Sequence, residues 1–549
     1  MAAKTGSLIG TDTPSVRNRL HRTGPAHSIS VHTATALAFF VLYGTLGFYL
    51  TFHLHYYAGD AASRVGNAYY VLFSRNPHLG AIGFIWNPLP SLLELPFVAL
   101  YPLIPSMVTH VLAGVLVSAI LAAWGIANFG RILDNFGVPR PWQTIIVILY
   151  GLNPLILLYS ANGMSDIMLI SCVLGAYSGL FDYIQTHSLA RLAAAGFWMA
   201  AALGMRYEAV PFAAFVILGF AAGQWGKVSS AQWKGGAIIL GAPIVVSGGL
   251  WLYFNWLIMK SPLYFLLSNY GNVAQTATGA YFTHATTMAE HSLGGSMVYI
   301  GHFMAFFWPI VPALLLTVGS SFGKFRDSRA PILVGGTLGL VSMELVGVYL
   351  GHLGQWDRYF ISYIPNGLLM LAFIASRFSQ RMTSFKPYIL WPLACIITVS
   401  GNVGTIAAVQ SRTLGHSDGS IIDMAWRTHS LKYVSNPFTK DLPVIRYIDQ
   451  HPRMLVVADS FEDWPIIVRS RNAHQFIITS DYDFNSVLNN PRGQVTDMLV
   501  PKPQGVAKLD AINVQWPTLW AGKLPWTKLV KSFPGGNNYR LYKVTSSAP

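Results

Sequence analysis

Eleven apolar runs fill the chain up to residue 408, at 31–52, 106–129, 142–160, 166–183, 192–205, 209–223, 237–258, 297–318, 331–350, 360–376 and 388–408. Most approach the ~20 residues that an α-helix needs to cross a hydrocarbon layer about 30 Å thick. The runs are continuous, so they read as spanning helices and not as the alternating strands of a transmembrane barrel. Only 11% of the 549 residues are charged and 53% are hydrophobic, far from the roughly one-quarter charged of a soluble domain. The chain is an integral membrane protein. The fifth and sixth runs are short and joined by GMRYEA, which reads either as two spans or as one broken unit dipping in and out.

A formal net charge of +14 raises nucleic acid as a partner, but the positions of the cations decide against it. Arg17, Arg19 and Arg22 precede the first run; Arg131, Arg140, Arg191, Lys227, Lys234, Lys324, Arg326, Arg329, Arg377, Arg381 and Lys386 fall in every second connection. That alternation is the positive-inside pattern, and an odd number of spans then puts the N-terminus in the cytoplasm and the C-terminus outside. Residues 1–30 form a polar, basic cytoplasmic segment. The apolar run after it has no A-x-A-like cleavage site, so it reads as a retained first span. Cys172 and Cys395 lie inside apolar runs and imply no disulfide framework. With no ER-retention signal and compact loops, the expected location is a plasma (inner) membrane.

The connections on the outer side are unequal. Residues 53–105 and 259–296 are long; ANGMS, RYE and GHLGQWDRY are very short, yet they hold Asn162, Ser165, Arg206, Glu208, His352, Asp357 and Arg358. In the first long connection, YYAGDAASRVGNAYYVLFSRNPH reads as a helix capped by Asp60. Its stripe of Val65, Tyr69, Leu72 and Phe73 suits a helix lying along the membrane surface, with Arg64 and Asn67 off the stripe. WNPLPSLLELPF follows as a second interfacial helix, opened by Pro88 and Pro90 and carrying Glu94.

After a linker at 409–439 the apolar runs shorten to strand length, and residues 440–549 read as a small extracytoplasmic α/β domain. RMLVVADS and HQFIITS are strands, FEDWPIIVRS is a helix, and TKLVKSF with NYRLYKV is a hairpin closed by Gly535, Gly536, Asn537 and Asn538. Asp459, Glu462 and Asp463 suit a helix cap and its first turn as well as a site. The fold class is thus an all-α polytopic membrane domain, residues 31–408, with two interfacial helices and a small C-terminal α/β domain.

These features together resemble the GT-C superfamily of membrane glycosyltransferases, which includes the protein O-mannosyltransferases and the aminoarabinose transferases: a first span, an Asp just after it, two surface helices, short polar outer turns and a small outer domain. The resemblance covers roughly residues 31–408 in architecture and is modest at the level of motifs. It implies Asp60 as the catalytic acidic residue and a sugar on a polyprenyl phosphate or diphosphate as donor. Ala61 stands where relatives often place a second acid, and no WWDYG-like signature of the oligosaccharyltransferases occurs.

The chemistry implied suits these residues. A carboxylate within reach of an acceptor hydroxyl takes its proton during attack on the anomeric carbon, and a single displacement of phosphate inverts that centre. Arg206, Arg358 and Arg64 are the candidates for the leaving phosphate, because guanidinium binds phosphate oxygens bidentately. Glu208, Asp166, Asp357, Asn67 and Trp356 complete a candidate substrate pocket, although Asp166 also suits a helix cap and Trp356 a membrane-interface aromatic belt. Some members of the superfamily hold a divalent metal between a first-loop acid and a later-loop His. Glu94, His284, Glu290 and His291 are the groups of those types here, without H-x-x-H or D-x-D spacing to single out a ligand set. The expected partners are a polyprenyl-phosphate sugar, a glycan, lipid or protein acceptor, and membrane lipids. A transporter or lipid flippase is the main alternative, since such proteins also carry ionisable residues at membrane depth; an assembly protein without catalysis is a second. No internal repeat of the kind many carriers show is visible.

Overall fold

A computed structural model describes residues 25–279, 284–322, 326–354, 356–381, 387–411 and 437–545, with a few isolated positions between 411 and 437. Arg17, Arg19, Arg22, Lys324, Lys386, most of the 409–439 linker and the His284 side chain lie outside what it describes.

Among the described residues seven helices are long and apolar enough to cross a membrane, and nine spans result if each of two bent pairs counts as one. The first pair, Arg140–Gly151 and Pro154–Ala161, bends by 63°. Asn153 produces the break: its side chain accepts from the amide of Leu155 at 3.1 Å, and Pro154 opens the new helix where its missing N–H costs nothing. The second pair, Leu293–Phe307 and Ile310–Gly319, bends by 101° at Trp308 and Pro309. The remaining two of the eleven apolar segments are Leu189–Met205 and Ala209–Gln224, separate helices of 17 and 16 residues. Membrane helices gain little from hydrophobicity alone and pack through small residues. That device is dense where Ala209–Gln224 meets Arg329–Tyr349. A Cβ added at Gly219 would sit 2.3 Å from the Pro331 carbonyl oxygen, at Gly335 2.3 Å from that of Phe215, and at Gly339 2.6 Å from that of Pro211.

Between the first span, α1 (Pro25–Phe48), and the helix Leu112–Phe136 lie α2 (Gly59–Phe73) and α3 (Leu89–Val98). Both helices of the first connection form where expected, but α2 differs in two respects. Its N-cap is Ala58, and Asp60 falls in the first turn with no capping hydrogen bond. The stripe residues Val65 and Tyr69 are buried, yet so are Arg64, Gly66 and Tyr70 on the other flanks. The helix is enclosed by protein rather than floating at a surface, because the C-terminal domain covers it: a Cβ on Gly66 would touch Val468 at 3.6 Å.

The C-terminal domain holds a five-stranded sheet in the order β2-β1-β3-β5-β4. β1 (Val456–Val457), β2 (Phe476–Ile477) and β3 (Asp497–Val500) run parallel, while β4 (Thr527–Phe533) and β5 (Tyr539–Val544) form the antiparallel hairpin. Asp459 caps the helix Ser460–Ile467 by accepting from the amide of Phe461 at 2.9 Å, and its other oxygen accepts from the Tyr270 hydroxyl of the second long connection at 2.9 Å. Arg75, just after α2, pairs with Asp481 and Asp483, and Arg469 donates to the Thr109 carbonyl at 3.2 Å. The sheet is therefore fastened to the helical body at three places.

Candidate active site

The charged residues of the short connections come together at one end of the helical body. Gly163 allows it: with φ +80° and a Cβ that would lie 3.1 Å from Ala61 and Gly114, only glycine lets the turn before Ser165 press against the start of α2. Its amide donates to Ser118 Oγ at 3.2 Å. That contact brings Asp166, at the start of the helix Ser165–Thr186, near Asp60. Opposite them, the extended backbone at Arg206 (φ −157°, ψ 153°) breaks the chain between two helices. The Arg206 guanidinium reaches Asp166 at 3.0 Å and Glu208 at 2.6 Å. Asp166 is thus an ion-pair partner and not a cap.

Asp60 pairs with Arg358 at 2.7 Å, its side chain one-quarter exposed (26%) and that of Arg358 less so (11%). Burial works to raise the Asp60 carboxyl, but the charges of Arg358, Arg64 and Arg206 outweigh it and hold the group below its ordinary value. Glu208 is likewise lowered, with burial opposed chiefly by Arg206. The Tyr359 ring lies under both guanidinium groups, 5.6 Å from Arg206 and 5.5 Å from Arg358, and Trp356 lies 4.8 Å from Arg358.

Arg64 stands one helical turn beyond Asp60, where residues four apart are neighbours. It is buried, rests on Trp86 at 5.2 Å, and its Nε and Nη1 have no hydrogen-bond partner among the described residues. Glu94 lies beside it, fully buried, with burial pushing its carboxyl well above the ordinary range against the pull of Arg64. The Asp60 charge acts on the Arg64 guanidinium, but its buried, unpaired N–H groups are costly without a ligand.

The other candidates fall outside this cluster. Asp357 is fully buried beside Tyr299. Asn67 lies two turns beyond Asp60 and lines a separate cavity. His291 is 69% exposed on its side chain and 3.6 Å from Glu290. Among the described residues no three His, Cys, Asp or Glu side chains are grouped as metal ligands, and Glu94, the first-loop acid, already faces a guanidinium. The His284 side chain lies outside the described residues. Tyr359 and Trp86 were not legible as site residues, because an aromatic near the interface reads first as part of the belt; their signal is adjacency to the arginine-bearing turns.

Neither a protein-family model nor a curated protein sequence matches the chain. Solved structures do. ArnT from Cupriavidus metallidurans in the apo state is similar at TM-score 0.51 with 12% identity, over 95% of this chain and 99% of that one. The same protein bound to undecaprenyl phosphate gives 0.47, 12%, 96% and 99%. The archaeal oligosaccharyltransferase AglB from Archaeoglobus fulgidus, in complex with an inhibitory peptide and a dolichol-phosphate, gives 0.45, 11%, 93% and 74%. At such low identity the likeness to apo ArnT is one of fold, and it extends over nearly the whole of both chains.

Proposed function

We propose that the protein is an inverting glycosyltransferase that moves a sugar from a polyprenyl-phosphate donor to an acceptor hydroxyl at the outer face of the membrane. The observation that carries this reading is the Asp60 carboxylate held 2.7 Å from Arg358, with Arg64 and Arg206 acting on the same carboxyl. That constellation offers a proton acceptor beside cations suited to a leaving phosphate, at the end of an apolar helix body where a prenyl tail has lipid and a sugar has water. The fold shared with apo ArnT supports the reading.

In this mechanism the acceptor oxygen attacks the anomeric carbon as its proton passes to Asp60. The carbon–oxygen bond to phosphate breaks, and the departing charge goes to guanidinium N–H groups. Arg64 has the donors for it, since its Nε and Nη1 have no hydrogen-bond partner among the described residues. Arg206 is engaged by two carboxylates and instead fixes the turn. A carboxyl as acidic as Asp60 is a weak base while Arg358 grips it. A donor phosphate offers Arg358 a better partner, so donor arrival releases the base at the moment it is needed.

The test is mass spectrometry of lipid-linked sugars and surface glycans in cells carrying the gene, lacking it, or carrying Asp60→Asn. Donor lipid is expected to accumulate and one glycan to disappear in both the deletion and the variant. Unchanged glycans in cells making folded Asp60→Asn protein would remove the reading.

A further inference from the structure

A cavity of about 610 Å³ lies between α2, the loop after it and the carboxyl ends of β1 and β2, well within the roughly 300–1,000 Å³ of small-molecule sites. The crevice beyond the carboxyl ends of parallel strands is where α/β sheets bind ligands. One of its walls is α2, the helix that carries Asp60. Ser63 and Asn67 line it, and with Asp60 they occupy positions i, i+3 and i+7 on α2, one face of the helix. Trp86 lines it too, and carries Arg64 on its ring.

The walls differ in chemistry from the arginine cluster. Their polar groups are mostly neutral: the amides of Asn67, Gln275 and Asn485 and the hydroxyls of Ser63, Thr479 and Ser480. Tyr70 and Ser480 present hydroxyls that are buried and without a hydrogen-bond partner among the described residues. Both carboxylates in the wall have partners, while one oxygen of Asp481 has no hydrogen bond among the described residues. Asp459 accepts from Phe461, Ala511 and Tyr270, and Asp481 accepts from the Ile478 amide at 3.0 Å and pairs with Arg75. Among the described residues no arginine lines the cavity, and Lys260 is the one lysine that does. Flat aromatic surfaces complete it, with Trp86, Tyr264, Tyr270 and Trp464 in the wall and Tyr482 stacked on His78 at 4.3 Å.

We infer that this cavity takes the acceptor and that the acceptor end is a neutral saccharide, an inference that rests on the proposed transfer at Asp60. Amides and hydroxyls donate and accept together, as sugar hydroxyls do, and aromatic faces cover the C–H faces of a pyranose ring. An anionic acceptor would meet two carboxylates and, among the described residues that line the cavity, no guanidinium to receive it. A saccharide seated here extends a hydroxyl along the Asn67–Ser63 face toward Asp60.

Saturation-transfer NMR on the full chain in detergent tests this with mannotriose, galactotriose, maltotriose and chitotriose, against trigalacturonate and a Gly-Ser pentapeptide. At least one neutral trisaccharide is expected to bind in preference to both controls. Tyr482→Ala and Asn485→Ala are expected to weaken it about tenfold; both side chains are exposed, so the fold survives their loss. Binding to none of the four, preference for trigalacturonate or the peptide, or an unchanged affinity in both variants would overturn the inference. The two failures are distinct: glycans lost with Asp60→Asn but no saccharide bound leaves transfer standing and removes this acceptor, whereas bound saccharide with glycans intact removes transfer.

Discussion

At the scale of single residues the decisive arrangement is the grip of Arg358 on Asp60. It makes an asymmetric pH prediction. In the proposed mechanism the carboxylate is the working form, so activity is lost as pH falls through its pKa. In the free protein burial would raise that pKa, and the three arginines hold it below the ordinary 3.8. The kcat/KM profile, which reports the free enzyme, should show no carboxylate limb above about pH 4. If donor phosphate takes over Arg358, the limb in kcat lies at higher pH than in kcat/KM. Arg358→Gln leaves burial and removes the leading cation, so its residual activity should fail at a pH where the parent still works. Coincident limbs in the parent, or an unshifted limb in Arg358→Gln, would refute the handover. Arg206, Glu208 and Arg358 were legible in the sequence because an ionisable group in a short outer connection of so apolar a chain has few other reasons to be there, whereas Asp60, in a long connection, was singled out through the family resemblance. Their pairing was legible only in part. Arg206 with Glu208 follows from adjacency, whereas Arg358 with Asp60 joins residues that only the tertiary fold brings together.

At the scale of elements, the helices bearing these residues are set by backbone contact. Ala209–Gln224 starts just after Glu208, and its glycine-lined approach to Arg329–Tyr349 leaves no room for a side chain at Gly219 or Gly335. Overpacking of this kind costs typically about 1–3 kcal/mol. Gly219→Leu and Gly335→Leu should each lower the thermal midpoint in detergent clearly, while Gly249→Leu, where nothing lies within 4 Å of the added Cβ, should leave it unmoved. Equal midpoints in all three would mean that these helices do not depend on close approach. Element existence was largely legible, because apolar length and the Pro and Asn punctuation at 153–154 are local signals. Two things were not. β3, Asp497–Val500, is short and buried along its whole length, so it shows no alternation. The enclosure of α2 was hidden because its apolar stripe is the same whether lipid or the C-terminal domain covers it.

For the whole molecule, polarity is divided between two ends. One end holds Asp60, Asp166, Arg206 and Arg358 under the sheet. The other, reached along the same helices, holds His32 with Asp134 at 2.6 Å, and Asp327 with Arg329 at 2.8 Å and Arg377 at 3.4 Å. The helix Ser165–Thr186 joins them: Asp166 opens it in the site and Thr186 closes it at the far end. Its 22 residues, at 1.5 Å each, span close to the roughly 30 Å of a hydrocarbon layer. The described basic residues of the even-numbered connections, Arg329 and Arg377 among them, belong to the far end, so the positive-inside bias predicts that end in the cytoplasm and the site outside. Single-cysteine labelling decides it, with Cys172 and Cys395 both buried and silent. Tyr482→Cys, on an exposed edge of the C-terminal domain, should react with a membrane-impermeant maleimide in intact cells. Thr186→Cys, also exposed, should react only after permeabilisation. The reverse pattern would put the arginine cluster on the cytoplasmic side, and the acceptor would then have to be sought among cytoplasmic molecules, not among those of the cell surface.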